Sequence, residues 1–255
     1  PEKSPIFVQS HIKQHAELHL LLSMITPLSW LERVPTYKDQ IQQLGSQGKD
    51  ISTYGFLGYP LLMAADILVY RADTVPVGED QLPHLEFARE IARRFNRLFN
   101  VEIFPEPQAK LSKIAMLPGV DGRKMSKSYN NDIHLGATAE EIWERVQQMV
   151  TDPQRIRKTD PGHPEVCMVF TYHNFYNASE VEEIRASCEG GKIGCVACKK
   201  KLANVLDQML APIRERREYY RSRPEALKEI LENGAGAARK AAEETMQLVR
   251  QAMNI

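Results

Sequence analysis

Two lysines and two serines stand close together in one polar loop, and these residue types are suited to phosphate chemistry. The loop reads KMSKS from Lys124 to Ser128 and follows a stretch with two glycines and a proline. Ammonium groups can stabilise charge as it builds on a transferring or leaving phosphate, and hydroxyl and backbone N–H groups donate hydrogen bonds to it. We therefore predict that Lys124, Ser126 and Lys127 act on a triphosphate. For an arbitrary pair of lysines at this spacing, a solvated basic loop is the alternative.

A second polar group follows the strand-like run from Asp73 to Val77. Gly78 permits a close approach of the backbone, Asp80 can accept hydrogen bonds from ribose hydroxyls, and Gln81 can orient an amino-acid head group. Ligands of open α/β sheets bind at the carboxyl ends of the strands. The segment therefore predicts part of a nucleotide and amino-acid site, with a plain turn into a helix as the alternative.

One carboxylate interrupts an apolar helical run that extends from Tyr59 to Tyr70. Tyr59, Met63 and Asp66 follow one another at i, i+4 and i+7, so they share one face of the helix. Burial of a carboxylate is unfavourable unless a hydrogen-bond donor satisfies it. Asp66 is therefore either a structural carboxylate, held by backbone groups or an arginine, or the acceptor for a donor on a ligand.

The four cysteines follow one another as C-x20-C-x6-C-x2-C and are Cys167, Cys188, Cys195 and Cys198. They do not have the spread of a secreted disulfide framework, and in other proteins such thiols are more often metal-binding or redox-active. Four thiolates suit tetrahedral zinc or a cubane iron–sulfur cluster. Spacing does not separate these two centres from each other, or from buried or free thiols.

The composition is that of an ordinary globular protein, with 43% hydrophobic and 26% charged residues. Its 33 basic and 33 acidic residues balance, so a polyanion would meet a local basic face rather than a basic protein. No apolar run approaches the roughly 20 residues that a membrane span needs, and we recognise no secretory signal. We predict a cytoplasmic protein that does not bind a membrane.

Strand and helix patterns alternate in the first half of the chain. They predict a strand over residues 6–8, a helix over 14–25, a helix over 61–69 with Pro60 in its first turn, a strand over 73–77 and a helix over 83–99. His11, His15 and His19 recur every four residues and are predicted to lie on a helix surface. The alternation predicts an α/β fold with a Rossmann-like parallel sheet.

From about residue 136 onwards the patterns are helical only. Thr138 and Glu141 form a capping box that begins one helix, further helices are predicted over 178–187, 196–220 and 237–253, and the residues Asn233 to Gly236 are predicted to break the last two. The predicted domains are 1–135, α/β and incomplete at its N-terminus; 136–232, all-α; and 233–255, a helix that packs back on the first domain.

Three of these segments resemble known synthetases. KMSKS is the signature loop of the class I aminoacyl-tRNA synthetases, and the segment from Lys124 is similar to it without a substitution. The residues from Gly78 to Gln81 resemble the ATP-binding segment shared by tyrosyl- and tryptophanyl-tRNA synthetases. The pattern Y-x-x-x-M-x-x-D resembles the tryptophanyl enzymes, because the tyrosyl enzymes carry glutamine where Met63 stands.

The resemblance implies that Asp66 accepts the indole N–H, a group that can only donate. It implies a tryptophan pocket completed by Tyr59, Met63, Gln9, Val75, Val77 and Gln81, and an ATP site formed by Gly78, Glu79, Asp80, Met116, Lys124, Met125, Ser126, Lys127 and Ser128. The implied reaction is activation of L-tryptophan by ATP with Mg²⁺, followed by transfer to tRNA(Trp), in a homodimer. Residues 1–135 would be the catalytic domain and 136–232 the anticodon-binding domain.

The four cysteines are similar to a set that holds a [4Fe–4S] cluster in a subset of bacterial tryptophanyl-tRNA synthetases. The last two spacings match that set, and the first is slightly shorter. The resemblance therefore implies the cluster at Cys167, Cys188, Cys195 and Cys198, with zinc as the alternative.

One signature of the class I family is not found. Nothing similar to H-I-G-H, which contacts the ATP phosphates in these enzymes, precedes Ile6. The resemblance implies either an enzyme cut short at its N-terminus, and impaired for that reason, or a non-catalytic tRNA-binding paralogue. A tyrosyl-type specificity is the alternative among enzymes.

Overall fold

The chain folds into two compact units in a computed structural model that describes residues 3–34, 37, 53–111 and 117–255. The first unit comprises Pro1–Ala115 and Glu225–Ile255, and the second comprises Met116–Pro224. The division after Ala115 differs from the predicted boundary at residue 135. The loop from Lys124 to Ser128 therefore belongs with the helical residues that follow it.

The first unit contains a parallel pair of strands beside a helical core. Its elements up to residue 111 are α1 (Gln14–Ser23), α2 (Leu28–Glu32), α3 (Tyr54–Leu68), β1 (Thr74–Val77), α4 (Leu82–Phe99) and β2 (Gln108–Leu111). The strands pair from Thr74 opposite Gln108 to Val77 opposite Leu111. Parallel strands need a crossover connection, and α4 provides it. The predicted α/β class with a parallel sheet is confirmed.

Two predicted elements near the start of the chain are wrong. Residues 6–8 are not a strand, and a single 3-10 turn, Gln9–His11, follows them. The helix α3 begins at Tyr54, because the Thr53 hydroxyl accepts a hydrogen bond from the Phe56 N–H at 3.3 Å and caps it. Pro60 is therefore buried inside the helix and does not lie in its first turn.

Small side chains allow the helices of the first unit to pack closely. Ala64 and Ala65 of α3 are completely buried, and α3 packs against both α1 and α4. α4 buries one face and ends at Asn100, whose φ of 54° gives a left-handed helix end. The core of this unit also contains Leu18, Leu22, Leu68, Ile91, Phe95, Met246 and Val249.

The last helix, α9 (Pro224–Met253), is continuous, so the predicted break at Asn233 to Gly236 is wrong. Gly234 lies inside this helix against the N-terminal segment, and a Cβ at this position would meet the carbonyl oxygen of Ile6. The glycine therefore permits a close approach of two backbones and does not end a helix. Arg250 of the same helix pairs with Glu17 of α1 at 2.8 Å.

The second unit is helical, as predicted. It contains α5 (Ala139–Gln148), α6 (Met168–Tyr176), α7 (Val181–Glu189) and α8 (Cys195–Arg221). The capping box of Thr138 and Glu141 is present at the start of α5. The core of the unit contains Ile142, Val146, Phe170, Tyr172, Ile184, Leu202 and Leu206. None of the described helices in either unit is long and apolar enough to span a membrane.

The two glycines of α9 should respond to alanine in opposite ways. Gly234→Ala should lower the free energy of unfolding by about 1–3 kcal/mol, because its Cβ overpacks against Ile6. Gly236→Ala is the matched control: open space surrounds this position, and alanine should raise the free energy of unfolding by up to about 1 kcal/mol. Denaturant unfolding followed by circular dichroism measures both. Equal stability of the two variants would contradict the close approach of Ile6.

Candidate active site

The carboxylate of Asp66 on α3 receives hydrogen bonds from two side chains of the N-terminal segment. The Gln9 Nε2 lies 2.7 Å from Oδ1 and 2.8 Å from Oδ2 of Asp66, and the His15 Nδ1 lies 2.6 Å from Oδ1. The Asp66 side chain is nevertheless 36% exposed. Its donors are therefore an amide and an imidazole, and the carboxylate stays accessible to a ligand.

His15 connects Asp66 to a tyrosine. Its Nε2 lies 2.8 Å from the hydroxyl of Tyr70, and the two rings are 5.3 Å apart. The prediction that His15 lies on the surface is wrong, because only 5% of the residue is exposed. Burial, and then the charge of Asp66, raise the pKa of the Tyr70 phenol to about 12. His15 and Asp66 are 51 residues apart, so no local pattern indicates their contact; only the need of Asp66 for a donor does.

The other residues predicted for the tryptophan pocket lie on α3, on β1 and in the turn after β1. Tyr59 packs against His84 of α4, with ring centroids 5.7 Å apart. The side chains of Met63, Val75 and Val77 are half-buried, and Gln9 contacts Asp66 directly.

The segment from Gly78 to Gln81 forms a compact turn at the carboxyl end of β1. The Gln81 N–H donates to the Gly78 carbonyl at 3.0 Å, and the Gln81 side chain donates to Asp80 at 3.1 Å. A Cβ at Gly78 would lie 2.7 Å from Oδ1 of Asp80, so the close approach predicted for this glycine involves a side chain of the same turn. Glu79 is exposed in the turn, and Met116 lies outside the described residues.

In the second unit, Asn131 holds the loop from Lys124 to Ser128 in place. It is 2% exposed, and its side-chain Nδ2 donates to Asp121 Oδ1 at 2.8 Å and to the Lys124 carbonyl at 3.1 Å. Its Oδ1 accepts from the Ser126 N–H at 2.8 Å. The sequence patterns did not indicate Asn131, because nothing local distinguishes it from the exposed Asn130.

Asp121 lies just before the same loop and contacts Asn131 and Arg123. The amide of Asn131, and then the side chain and backbone of Arg123, hold the pKa of the Asp121 carboxyl at about 2. The loop leaves Lys124 and Lys127 exposed, with Met125 and Ser126 half-buried, and Ser128 lies in the 3-10 turn Lys127–Tyr129. Among the described residues, no carboxylate pairs with Lys124 or Lys127. Both ammonium groups therefore face solvent.

The four cysteines lie around the ends of three helices of the second unit. Cys167 caps the start of α6, Cys188 lies near the end of α7, and Cys195 and Cys198 lie one turn apart at the start of α8. Burial, and then the charges of the other three cysteines, raise the pKa of Cys198 to about 12. Within the described part of the chain, no three or more His, Cys, Asp or Glu side chains have an arrangement that could hold a metal ion.

A basic groove lies beside these cysteines. Arg155, Arg157, Lys158 and Lys200 line it together with Cys195. The Arg155 guanidinium is held by the carbonyl oxygens of Lys158 and Ile193, each at 2.6 Å, and it lies 3.7 Å from Cys188 Sγ. The groove therefore presents fixed positive charge next to the thiols.

A family model described as tRNA synthetases class I (W and Y) matches residues 1–211. The chain belongs to this family. The match includes the Asp66 cluster, the turn after β1, the loop from Lys124 to Ser128 and all four cysteines, and it confirms the resemblance carried by the KMSKS signature.

Curated relatives and solved structures agree with this membership. The chain is similar to the tryptophan–tRNA ligase of Thermotoga maritima, with 51% identity over 100% of the chain and 77% of that protein. It is 41% identical to the tryptophan–tRNA ligase of Aquifex aeolicus, over 100% of the chain and 82% of the relative. A crystal structure of tryptophanyl-tRNA synthetase from Campylobacter jejuni, complexed with ADP and tryptophan, superimposes with a TM-score of 0.87 at 35% identity, covering 100% of this chain and 78% of that one.

Replacement of Asn131 should loosen the loop from Lys124 to Ser128. Asn131→Asp removes the two donated hydrogen bonds and places a carboxylate beside Asp121 and the Lys124 carbonyl. We expect trypsin to cleave the folded protein after Lys124 or Lys127 at least about ten times faster, since the lost contacts involve a buried group worth roughly 1–3 kcal/mol. Mass spectrometry of the fragments locates the cleavage.

Asn130→Asp is the control for this substitution. Asn130 is the exposed neighbour, and its side-chain oxygen accepts a hydrogen bond from Arg145, which a carboxylate would accept as well. Cleavage in this variant should match that of the unsubstituted protein. Equal cleavage of the two variants would contradict the assignment of the loop contacts to Asn131.

Proposed function

We propose that the protein activates L-tryptophan with ATP and Mg²⁺ and transfers the product to tRNA(Trp), as a tryptophan–tRNA ligase. The observation that carries the proposal is the Asp66 carboxylate, which is accessible and held by Gln9 and His15 on a helix with the pattern Y-x-x-x-M-x-x-D. The curated relatives in the comparison are tryptophan–tRNA ligases, at up to 51% identity over the whole chain, and they support the same substrate.

Asp66 would select tryptophan by accepting its indole N–H. The indole nitrogen can only donate, so an acceptor with a fixed position rejects side chains without such a donor. Met63 would pack on the indole ring, Val75, Val77 and Tyr59 would form further walls, and Gln81 would orient the amino-acid head group. Gln9 would line the pocket beside Asp66, where its amide already lies.

The loop from Lys124 to Ser128 would act on the phosphates of ATP. The carboxylate of tryptophan attacks the α-phosphate in line and pyrophosphate leaves, so no nucleophile from the protein is required. Lys124 and Lys127 would stabilise the departing charge, and their exposure without a described carboxylate partner supports this role. Ser126 and Ser128 would donate to phosphate, Met116 and Met125 would contact the nucleotide, and Gly78, Glu79 and Asp80 would complete its site.

The groove lined by Arg155, Arg157, Lys158 and Lys200 would receive tRNA phosphates, because guanidinium and ammonium groups bind such anions. This would make the helical unit the anticodon-binding part and the first unit the catalytic part. A homodimer and a cytoplasmic location, where tRNA is charged for the ribosome, belong to the same proposal.

The cysteines would hold a [4Fe–4S] cluster. Support comes from the donor set, since the four thiols lie in one unit at the ends of three of its helices. The side chains do not stand in a ligand arrangement, so the proposal rests on donor type and neighbourhood. When bound, such a cluster supplies a fixed charge and a covalent link between three helix ends. Arg155 would lie beside it, with its guanidinium directed at Cys188.

Asp66→Asn tests the choice of substrate. We expect tryptophan binding, measured by calorimetry, to weaken by about 10- to 100-fold, because a hydrogen bond to a charged acceptor is lost. ATP affinity should stay unchanged. Asp73→Asn, an exposed carboxylate of the same unit, is the control and should bind tryptophan normally. Undiminished binding by Asp66→Asn, or a preference of the unsubstituted protein for tyrosine, would contradict the proposal.

Anaerobic purification tests the cluster. The protein should be brown, absorb broadly at about 400 nm and contain roughly four irons per chain, as expected for thiolate-ligated [4Fe–4S] centres. Cys198→Ser should lose both the colour and the iron. A colourless protein with one equivalent of zinc, or with four alkylatable thiols and no metal, would refute the cluster.

A further inference from the structure

We propose that His15 and Tyr70 position Asp66 for substrate recognition: Tyr70 holds the His15 ring through Nε2, the Nδ1–H of His15 holds one carboxylate oxygen, and Oδ2 of Asp66 is left for the indole N–H. The inference rests on the proposed function, in which Asp66 recognises tryptophan. His15 and Tyr70 are positioning residues, because they act through Asp66.

The hydrogen bonds at Asp66 are distributed unequally between its two oxygens. Among the residues that the structure describes, Oδ1 accepts from His15 Nδ1 at 2.6 Å and from Gln9 Nε2 at 2.7 Å, whereas Oδ2 accepts from Gln9 alone at 2.8 Å. An ionised carboxylate has about four acceptor positions, two on each oxygen. Oδ1 is therefore filled, and Oδ2 retains one position. Because the Asp66 side chain is 36% exposed, a ligand can reach it.

The partners of His15 determine its tautomer. A neutral imidazole has one donor nitrogen and one acceptor nitrogen. In the proposed arrangement His15 is neutral: because the Asp66 carboxylate only accepts, Nδ1 of His15 carries the hydrogen, and Nε2 then accepts from the Tyr70 hydroxyl at 2.8 Å. The pKa of Tyr70, raised to about 12 by burial and by Asp66, keeps the phenol protonated and donating at neutral pH.

Packing holds the two rings in this geometry. Phe7 lies 6.2 Å from the His15 ring and 5.9 Å from the Tyr70 ring, and the His15 and Tyr70 rings meet edge to face at 62°. His15 is 5% exposed, so water competes little for its nitrogens. A donor whose orientation is fixed before the ligand arrives keeps the carboxylate from rotating, which is the condition for a directional contact with the indole.

Two substitutions at His15 separate positioning from packing. His15→Ala removes the donor, and the dissociation constant for tryptophan should rise about 10- to 100-fold. His15→Asn keeps an amide N–H near the position of Nδ1 and should recover most of this loss, while Tyr70→Phe should weaken binding only a few-fold. ATP affinity should not change in any of them. Equal losses in His15→Ala and His15→Asn would overturn the proposal, because a packing role predicts no recovery. His11→Ala, at an exposed histidine of the same segment, is the control.

A tryptophan analogue with sulfur in place of the indole N–H sharpens the test. This benzothienyl analogue cannot donate to Asp66, so His15→Ala should change its affinity less than two-fold. If the affinity for the analogue falls as far as that for tryptophan, His15 shapes the pocket as a whole and the proposal is wrong.

The failure of this inference and that of the proposed function can be told apart. If Asp66→Asn binds tryptophan normally, the proposed function fails, and the positioning role fails with it. If Asp66→Asn loses binding and His15→Ala does not, only the positioning role is overturned. Nitrogen-15 NMR of the unliganded protein gives a readout without ligand: the proposal requires a neutral His15 with its hydrogen on Nδ1, and Tyr70→Phe should shift the Nε2 resonance, because it removes the hydrogen bond to that nitrogen. An Nε2–H tautomer in the unsubstituted protein would overturn it.

Discussion

A carboxylate within an apolar helix needs donors, and much of the first unit is arranged to supply them to Asp66. The donors come from a segment more than fifty residues earlier in the chain, so the unit must bring the turn Gln9–His11 and α1 against α3. Ala64 and Ala65 have no side chain beyond Cβ, and they allow this approach. Helix packing and the hydrogen bonds of Asp66 therefore depend on each other. Without the close approach of α1 and α3, the Asp66 carboxylate would lack its hydrogen-bond donors. Without those donors, a carboxylate among the apolar residues of α3 would be unfavourable.

The second unit also has a polar side chain that needs hydrogen-bond partners, and this side chain is Asn131. Asn131 is buried, and both ends of its amide are used, with the NH₂ on Asp121 and the Lys124 carbonyl and the oxygen on the Ser126 N–H. A side-chain amide can donate and accept hydrogen bonds at once, whereas an ionised carboxylate only accepts them. Asn131 thus fixes the backbone of the loop, and Lys124 and Lys127 are exposed. A fixed backbone with exposed ammonium groups suits a site where charge shifts from one phosphate oxygen to another.

Local features of this chain could be predicted from the sequence, and contacts between distant segments could not. The loop from Lys124, the turn after β1 and the capping box at Thr138 each lie within a few residues, where spacing determines geometry. The helix break predicted at Gly234 is wrong because glycine ends helices by local preference, whereas here the backbone of Ile6, far away in the sequence, determines its role. The surface position predicted for His15 is wrong for the same reason: its partners are on α3 and just beyond it, and periodicity within α1 carries no information about them.

The choice of donors at Asp66 also has a consequence for its chemistry. An arginine, the partner that the sequence left open, would place a full positive charge on the carboxylate and occupy both oxygens in a bidentate pair. Gln9 and a His15 that is neutral, as proposed above, would leave the negative charge of Asp66 uncompensated, and among the described residues they leave one position on Oδ2 open. An indole N–H would then meet an anionic acceptor, and hydrogen bonds to ionised groups are the stronger ones. A neutral ring without an N–H would leave the open position on Oδ2 without a donor, so the arrangement proposed to bind tryptophan would oppose such an analogue.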